Sequence, residues 1–507
     1  MLALLGSGFV ASADNLDIIG VRLLRQVDGT LLGANVYVAQ PEAATPNVSP
    51  PDFEVAPVSV GQPESLFSYN SSLGVATNYP NSVGAASGHA ADVGNHFYGI
   101  NEGVAPQVAH ADNFEATYFY ENIILPLTPS ISAKVVNQSF IFNDLVASTV
   151  EQSYDNYSAL HGTLFISGVG NGDVPVSAPG TCFNGIGVGV TDGNSSVGPT
   201  SDGRSKPDLV APGQVTSYST PYVSGSAAVL WQAASRGDGG TNLTAATDAR
   251  TLKALLLNGA IKPAGWTNSP ATPLDARHGA GVVNVFNSWQ QLQGGQHSYI
   301  ESTSVTHDGP HPPGANAANA PVRAGWDRNT ISTIPLQDMV NHYYFDLPVT
   351  SGPAFTLTAT LVWQRQQGQT AINDLNLFLY DIATSNLVMC STSEVDNVEH
   401  LYLPTVPAGW YDLQVLKRGI TTQVSPDEIY ALAFEFFQMP LQLNPSAEGI
   451  TLSWPIAPAG FQLMSTTNLA SPVNWQEVSA TPVVSNEQNV VTLMAGANAQ
   501  FFRLQRP

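Results

Sequence analysis

Near residue 296 the periodicity of the chain changes, and nothing else in the sequence constrains the fold as much. Before that point short aliphatic runs alternate with helical patterns, whereas after it apolar residues recur mainly at every second position. The runs "GANVYVAQ", ending at Gln40, "AKVVNQSF", ending at Phe140, "GTLFISG", ending at Gly168, and "GIGVGV", ending at Val190, read as buried parallel strands. Between them, "HAADVGNHFYGI" sets Val93, Phe97 and Ile100 on one helical face. "TDARTLKALLLNGAIK" does the same with Leu252, Leu255 and Leu256, behind a Thr247/Asp248 cap. This order predicts α/β architecture over residues 14–295. Residues 296–323, rich in His, Pro, Gly, Ala and Asn, read as a linker or long loop. "FTLTATLVW", "DLNLFLYD" and "GWYDLQVL" then alternate as antiparallel strands do, which predicts a β-sandwich over 324–439. "GITLSWP", "GFQLMST" and "FFRLQRP" predict a small all-β unit over 440–507.

A chain of 507 residues has room for several cores. Charged residues are only 11%, split as 17 Lys+Arg against 39 Asp+Glu. The resulting charge of −22 argues against nucleic acid or an anionic membrane as partner. No apolar run reaches about 18 residues, so no membrane insertion is expected. Residues 1–13, "MLALLGSGFVASA", end in Ala11-Ser12-Ala13 like a small-residue cleavage site, and read as the remnant of a secretory signal or as an apolar terminus without a basic start. Export to the medium or the cell surface is the expectation. Cys182 and Cys390, far apart, are expected to be buried free thiols rather than a disulfide framework.

The most informative stretch is "TSYSTPYVSGSAAVL", Thr216 to Leu230. Ser, Thr and Tyr compete with the helical backbone for hydrogen bonds, so their cluster belongs at a helix start, near Ser217. Pro221 fits the first turn of such a helix, and Ser224 to Ala228 are small enough for neighbouring backbone to come close. A serine at the amino end of a buried helix lies beside free amide groups that suit a developing oxyanion.

"KPDLVAPG" followed by "TSYSTPYVSG" resembles the nucleophile region of the subtilisin-like serine peptidases, with Ser217 in the nucleophile's place and Val215 where the family has glycine. "SGHAADVGNHFYG" resembles the general-base motif and sets His89 at the base, with Asp92 where the family has a second histidine. "SGVGNGD" places Asn171 at the oxyanion-hole position. Aligning Gly33 with the start of the family's first core strand puts Glu42 at the position of the orienting aspartate, and Gln40 takes that place if the register slips. "NQSF" is similar to the strand end that borders the substrate cleft, which assigns Ser139 and Phe140 to its walls; Gly168, at the end of "GTLFISG", is expected there too. "RHGAGVVNV" is similar to the family's closing turn. The resemblance spans about residues 30 to 290.

It implies a subtilisin-like parallel sheet flanked by helices, followed by two all-β sandwich domains, and a secreted endopeptidase acting through Ser217, His89 and Glu42 on protein or peptide substrates. A monomer is expected. The resemblance requires no cofactor but leaves room for structural calcium, for which Asp374 and Asp381 are the candidates; no His/Cys spacing suggests zinc. Two other readings remain at this point: a catalytically inactive scaffold that binds protein, and a surface-adhesion protein whose β-domains carry the function.

Overall fold

In the computed structural model, residues 14–143, 145–172, 174–192, 194–314, 322–349, 353–446, 449–470, 473–486, 488–494 and 499–505 are described. The apolar stretch ending in Ala11-Ser12-Ala13 lies outside them. Eight strands form the first sheet: β1 (Tyr37–Glu42), β2 (Phe67–Ser71), β3 (Gly74–Ala76), β4 (His110–Glu115), β5 (Val135–Gln138), β6 (Leu164–Gly168), β7 (Ile186–Val190) and β8 (Leu209–Ala211). Their order is β8-β7-β6-β5-β1-β4-β2-β3. All neighbours are parallel except the β2–β3 pair at the edge.

Alternation along the strands sends Val38, Val135 and Ile166 to one face and Ala39, Val136 and Phe165 to the other. The first face packs on helices α1 (Gly88–Tyr98), α3 (Thr216–Ser235), α4 (Ala249–Asn258) and α5 (Val285–Gln293). The second packs on Tyr154 and Tyr157 of α2 (Ala147–His161). The small residues of α3 are needed at this depth: a Cβ on Gly225 would come 2.4 Å from Val104 Cβ. Ile100 falls outside α1 and is half exposed, unlike Val93 and Phe97, because the helix ends at Tyr98.

The stretch read as a linker contributes a strand, β9 (Glu301–Thr306). Eight more strands follow: β10 (Ala324–Ser332), β11 (Gln337–Leu347), β12 (Phe355–Trp363), β13 (Leu375–Asp381), β14 (Asn386–Ser391), β15 (Val398–Val406), β16 (Gly409–Lys417) and β17 (Asp427–Phe437). They form two antiparallel sheets, β9-β11-β16-β13-β14 and β10-β17-β12-β15. Leu357, Leu361, Leu413, Leu432 and Phe434 fill the space between them. The second sheet is covered on its outer side as well. Trp326, Val362, Ala431 and Ala433 join the core of the first sheet, and Thr358 and Thr360 each donate to Asn258 Oδ1 of α4 at 2.9 Å. A buried polar seam continues the join: Asn184 Nδ2 donates to the Arg365 carbonyl at 2.9 Å, and Ser205 N donates to Asp396 Oδ1 at 2.7 Å. Beyond Gln438, two small sheets enclose Leu452, Trp454, Leu463 and Val491.

One buried carboxylate beside the first sheet is compensated from several sides. Asp208, just before β8, accepts from Lys206 Nζ and from the Gly187 amide (2.6 Å), and lies 3.0 Å from Lys253 Nζ of α4. Burial pulls the Lys253 ammonium down to about 8 despite the opposing pull of Asp208. Cys182 is buried and Cys390 half-buried, both as free thiols.

Candidate active site

The order of the first sheet reverses between β1 and β5, and ligands of open α/β sheets bind beyond the carboxyl ends of strands at such a switch point. Glu42 is the last residue of β1, and Ser139 follows directly on β5. Pro41 is accommodated one residue earlier because β5 pairs with β1 only at Val38 and Ala39, so the missing proline amide deprives no strand on that side.

His89 stands in the first turn of α1, which Ser87 caps by accepting from the Ala90 amide at 3.2 Å. Its Nδ1 donates to Glu42 Oε1 at 2.6 Å. The carboxylate is sealed, with 2% of the side chain exposed, whereas 40% of the imidazole faces solvent. The bond to Glu42 raises the His89 pKa above the ordinary 6.5, against the lowering effect of burial, and the charge of Asp92 adds to the rise. With the proton held at Nδ1, the neutral ring keeps Nε2 as its free acceptor.

Ser217 is the second residue of α3. Its amide belongs to the first-turn N–H groups that a helix leaves without internal partners. The hydroxyl donates to the Ser139 carbonyl at 3.3 Å, while Ser139 Oγ donates to the Ser217 carbonyl at 3.0 Å. No hydrogen bond joins Ser217 Oγ to His89 in this state among the described residues. Pro221 stands in the second turn, not the first, and explains the reverse contact. It has no amide proton for the carbonyl four residues back, which is that of Ser217, and Ser139 supplies the missing donor. Val215 is tolerated in place of glycine because its φ of −141° is extended backbone open to any residue.

Asn171 accepts at Oδ1 from both the amide and the hydroxyl of Thr216, each at 2.9 Å. Its oxygen is therefore fully used, which leaves the exposed Nδ2 as the donor. Ser139 is buried and Phe140 half-buried. Gly168 does not face an open cleft. It is buried beneath the start of α3, where a Cβ would lie 3.0 Å from Thr216 Oγ1. Glu42, His89, Asn171, Ser139 and Ser217 thus gather at one end of the sheet. Beside them is Tyr218, which the motif reading did not single out, in contact with Asp92. Tyr218 donates to Asp92 Oδ2 at 3.3 Å, and its ring centroid lies 6.3 Å from that of His89.

Asp374 and Asp381 do not form one cation site. They flank a seven-residue strand, β13, at opposite ends, about 20 Å apart by strand rise. Asp374 accepts from Asn376 Nδ2 and Asp381 from the Thr384 amide. Among the described residues no cluster of three His, Cys, Asp or Glu side chains is placed to hold a metal, and no helix is long and apolar enough to cross a membrane.

A family model described as "Subtilase family" matches residues 74–286. Those residues form a subtilase domain. The chain thus carries a serine protease domain of that family, and Glu42 lies upstream of the matched segment. No curated protein matches the chain. Among solved structures, a protease of Pseudoalteromonas arctica shares 17% identity over 52% of this chain and 92% of its own, with a TM-score of 0.36. The Aeromonas sobria serine protease, solved with its chaperone, shares 14% over 80% of this chain and 88% of its own, with a TM-score of 0.35. The serine protease MycP1, a component of a type VII secretion system, shares 16% over 54% and 87%, with a TM-score of 0.36.

Proposed function

We propose that the chain is a secreted serine endopeptidase that cleaves peptide bonds through a Ser217–His89–Glu42 triad and an acyl-enzyme intermediate. The observation that carries this reading is the 2.6 Å bond from His89 Nδ1 to a buried glutamate at the carboxyl end of β1, which presents Nε2 on the side open to solvent. His89 Nε2 removes the Ser217 proton as Oγ attacks the scissile carbonyl, then returns it to the leaving amine. The charge on the tetrahedral oxygen falls to the Ser217 amide and Asn171 Nδ2. An extended substrate adds as a strand beside Ser139 and Phe140. For this, the Ser217 hydroxyl must leave the Ser139 carbonyl for His89.

That resting contact also favours a second reading, a subtilase scaffold that binds protein without cutting it. Labelling with a fluorophosphonate separates the two. Adduct formation at Ser217, absent in Ser217→Ala, supports the peptidase, and folded wild-type protein that takes no label overturns it. Separation of cells from medium, followed by an activity assay on each fraction, tests secretion.

A further inference from the structure

We propose that Gln40 is a positioning residue that locks Glu42 against His89, with Tyr98 setting the orientation of its amide. The proposal rests on the reading above, in which His89 and Glu42 serve Ser217. A glutamate has one more rotatable bond than an aspartate, so a carboxylate on that longer arm needs a second restraint to hold an imidazole in one place. Side chains two apart on a strand share a face, and Gln40 and Glu42 both turn towards α1.

Glu42 Oε1 is taken by His89, and Oε2 accepts from Gln40 Nε2 at 3.4 Å. The same amide nitrogen donates at 2.9 Å to the carbonyl of Ala90, the residue after His89. Gln40 Oε1 accepts from the Tyr98 hydroxyl at 2.6 Å. Gln40, Glu42 and Tyr98 are all buried, and burial holds the Tyr98 phenol far above its ordinary pKa, so it remains a proton donor. A flipped amide would set its oxygen against the Ala90 carbonyl and the Glu42 carboxylate together, which leaves one favourable orientation. A single amide thereby fastens the strand end that carries Glu42 to the helical turn that carries His89.

Loss of the Gln40 donor leaves Glu42 Oε2 less stabilised and more attractive to a proton on the neighbouring ring. The His89 pKa therefore rises further in Gln40→Leu, and further again in Gln40→Glu, which adds a second negative group. In the full chain, kcat normalised to fluorophosphonate-titrated sites should fall about tenfold in Gln40→Leu, less than the ~100-fold that a 1 Å misplacement costs, with KM within about twofold. The His89 titration midpoint, followed by NMR, should move up in the same variants. Tyr98→Phe should give a smaller change of the same sign, and none beyond Gln40→Leu when the two are combined. A folded Gln40→Leu with unchanged normalised kcat and an unchanged His89 midpoint overturns the proposal. If that variant does not fold, an unmoved midpoint in Tyr98→Phe overturns it instead. The NMR midpoint needs no hydrolysis, so a midpoint that moves in protein whose Ser217 takes no label supports the role of Gln40 while the peptidase reading falls.

Discussion

Two regions of the molecule hold a hydroxyl, an imidazole and a carboxylate in a row, and the more complete row is the one in the sandwich. There, the Thr303 hydroxyl lies 2.7 Å from His342 Nε2, and His342 Nδ1 lies 2.8 Å from Asp412 Oδ2. In the subtilase domain the imidazole–carboxylate bond is formed at 2.6 Å, but the serine hydroxyl rests on the Ser139 carbonyl. By hydrogen bonds alone Thr303 would be the better nucleophile. The surroundings reverse that ranking. The His342 side chain is 1% exposed and sealed between β9 and β16, so no carbonyl carbon can approach the ring. The His89 side chain is 40% exposed, at a switch point of a parallel sheet and beside the first turn of a buried helix. Under the proposed reading, an exposed imidazole beside a helix-start amide without an internal partner counts for more than an unbroken relay.

The sharpest way to break this contrast is to neutralise each carboxylate. Glu42→Gln should lower kcat by about 10⁴, as loss of the orienting carboxylate does in serine proteases. Asp412→Asn should leave the rate per folded molecule unchanged and lower the melting temperature, because Asp412 Oδ2 accepts from the Gly314 amide and Gln414 Nε2 and bonds His342 in a sealed site. Calorimetry and a peptide-hydrolysis assay on both variants decide the matter, and a rate loss in Asp412→Asn would merge the two regions functionally. A smaller effect is expected at the oxyanion: Asn171→Ala should lower kcat about 10²–10³-fold at constant KM. Thr303→Val should change neither rate nor fluorophosphonate labelling, and an adduct on Thr303 in Ser217→Ala protein would refute its structural assignment.

The smallest effect is in pH dependence. Because the folded-state pKa of His89 is raised, the stability it contributes is complete below the unfolded value of about 6.5 and is lost as pH climbs through the folded value. Catalysis needs the neutral ring, so the acid limb of kcat/KM should lie above 6.5, and activity should appear over the range in which that stabilisation fades. An acid limb below 6.5 would show that the limiting base is another group.

The subtilase domain was legible because its constraints are local. The hydroxyl cluster before the small residues marked the start of α3 near Ser217, and the family alignment from Gly33 pointed to Glu42, which lies at the end of β1 against His89. Elements that depend on distant partners were not legible. "ESTSVT" carries no apolar alternation because β9 is largely exposed, and it exists as a strand through its pairing with β11. Ala431 and Ala433 of β17 are small because a helix of the first domain packs over them, a partner that no local pattern marks. The bond from Ser139 Oγ to the Ser217 carbonyl was equally hidden, since it follows from an amide proton that Pro221, four residues along, does not have.

That absent proton also has a mechanical meaning. Ser139 grips the backbone of Ser217 while Ser217 grips the backbone of Ser139, so the floor along which a peptide would lie and the group that would cut it are riveted together. A change that slides the end of β5 would carry the cutting edge with it.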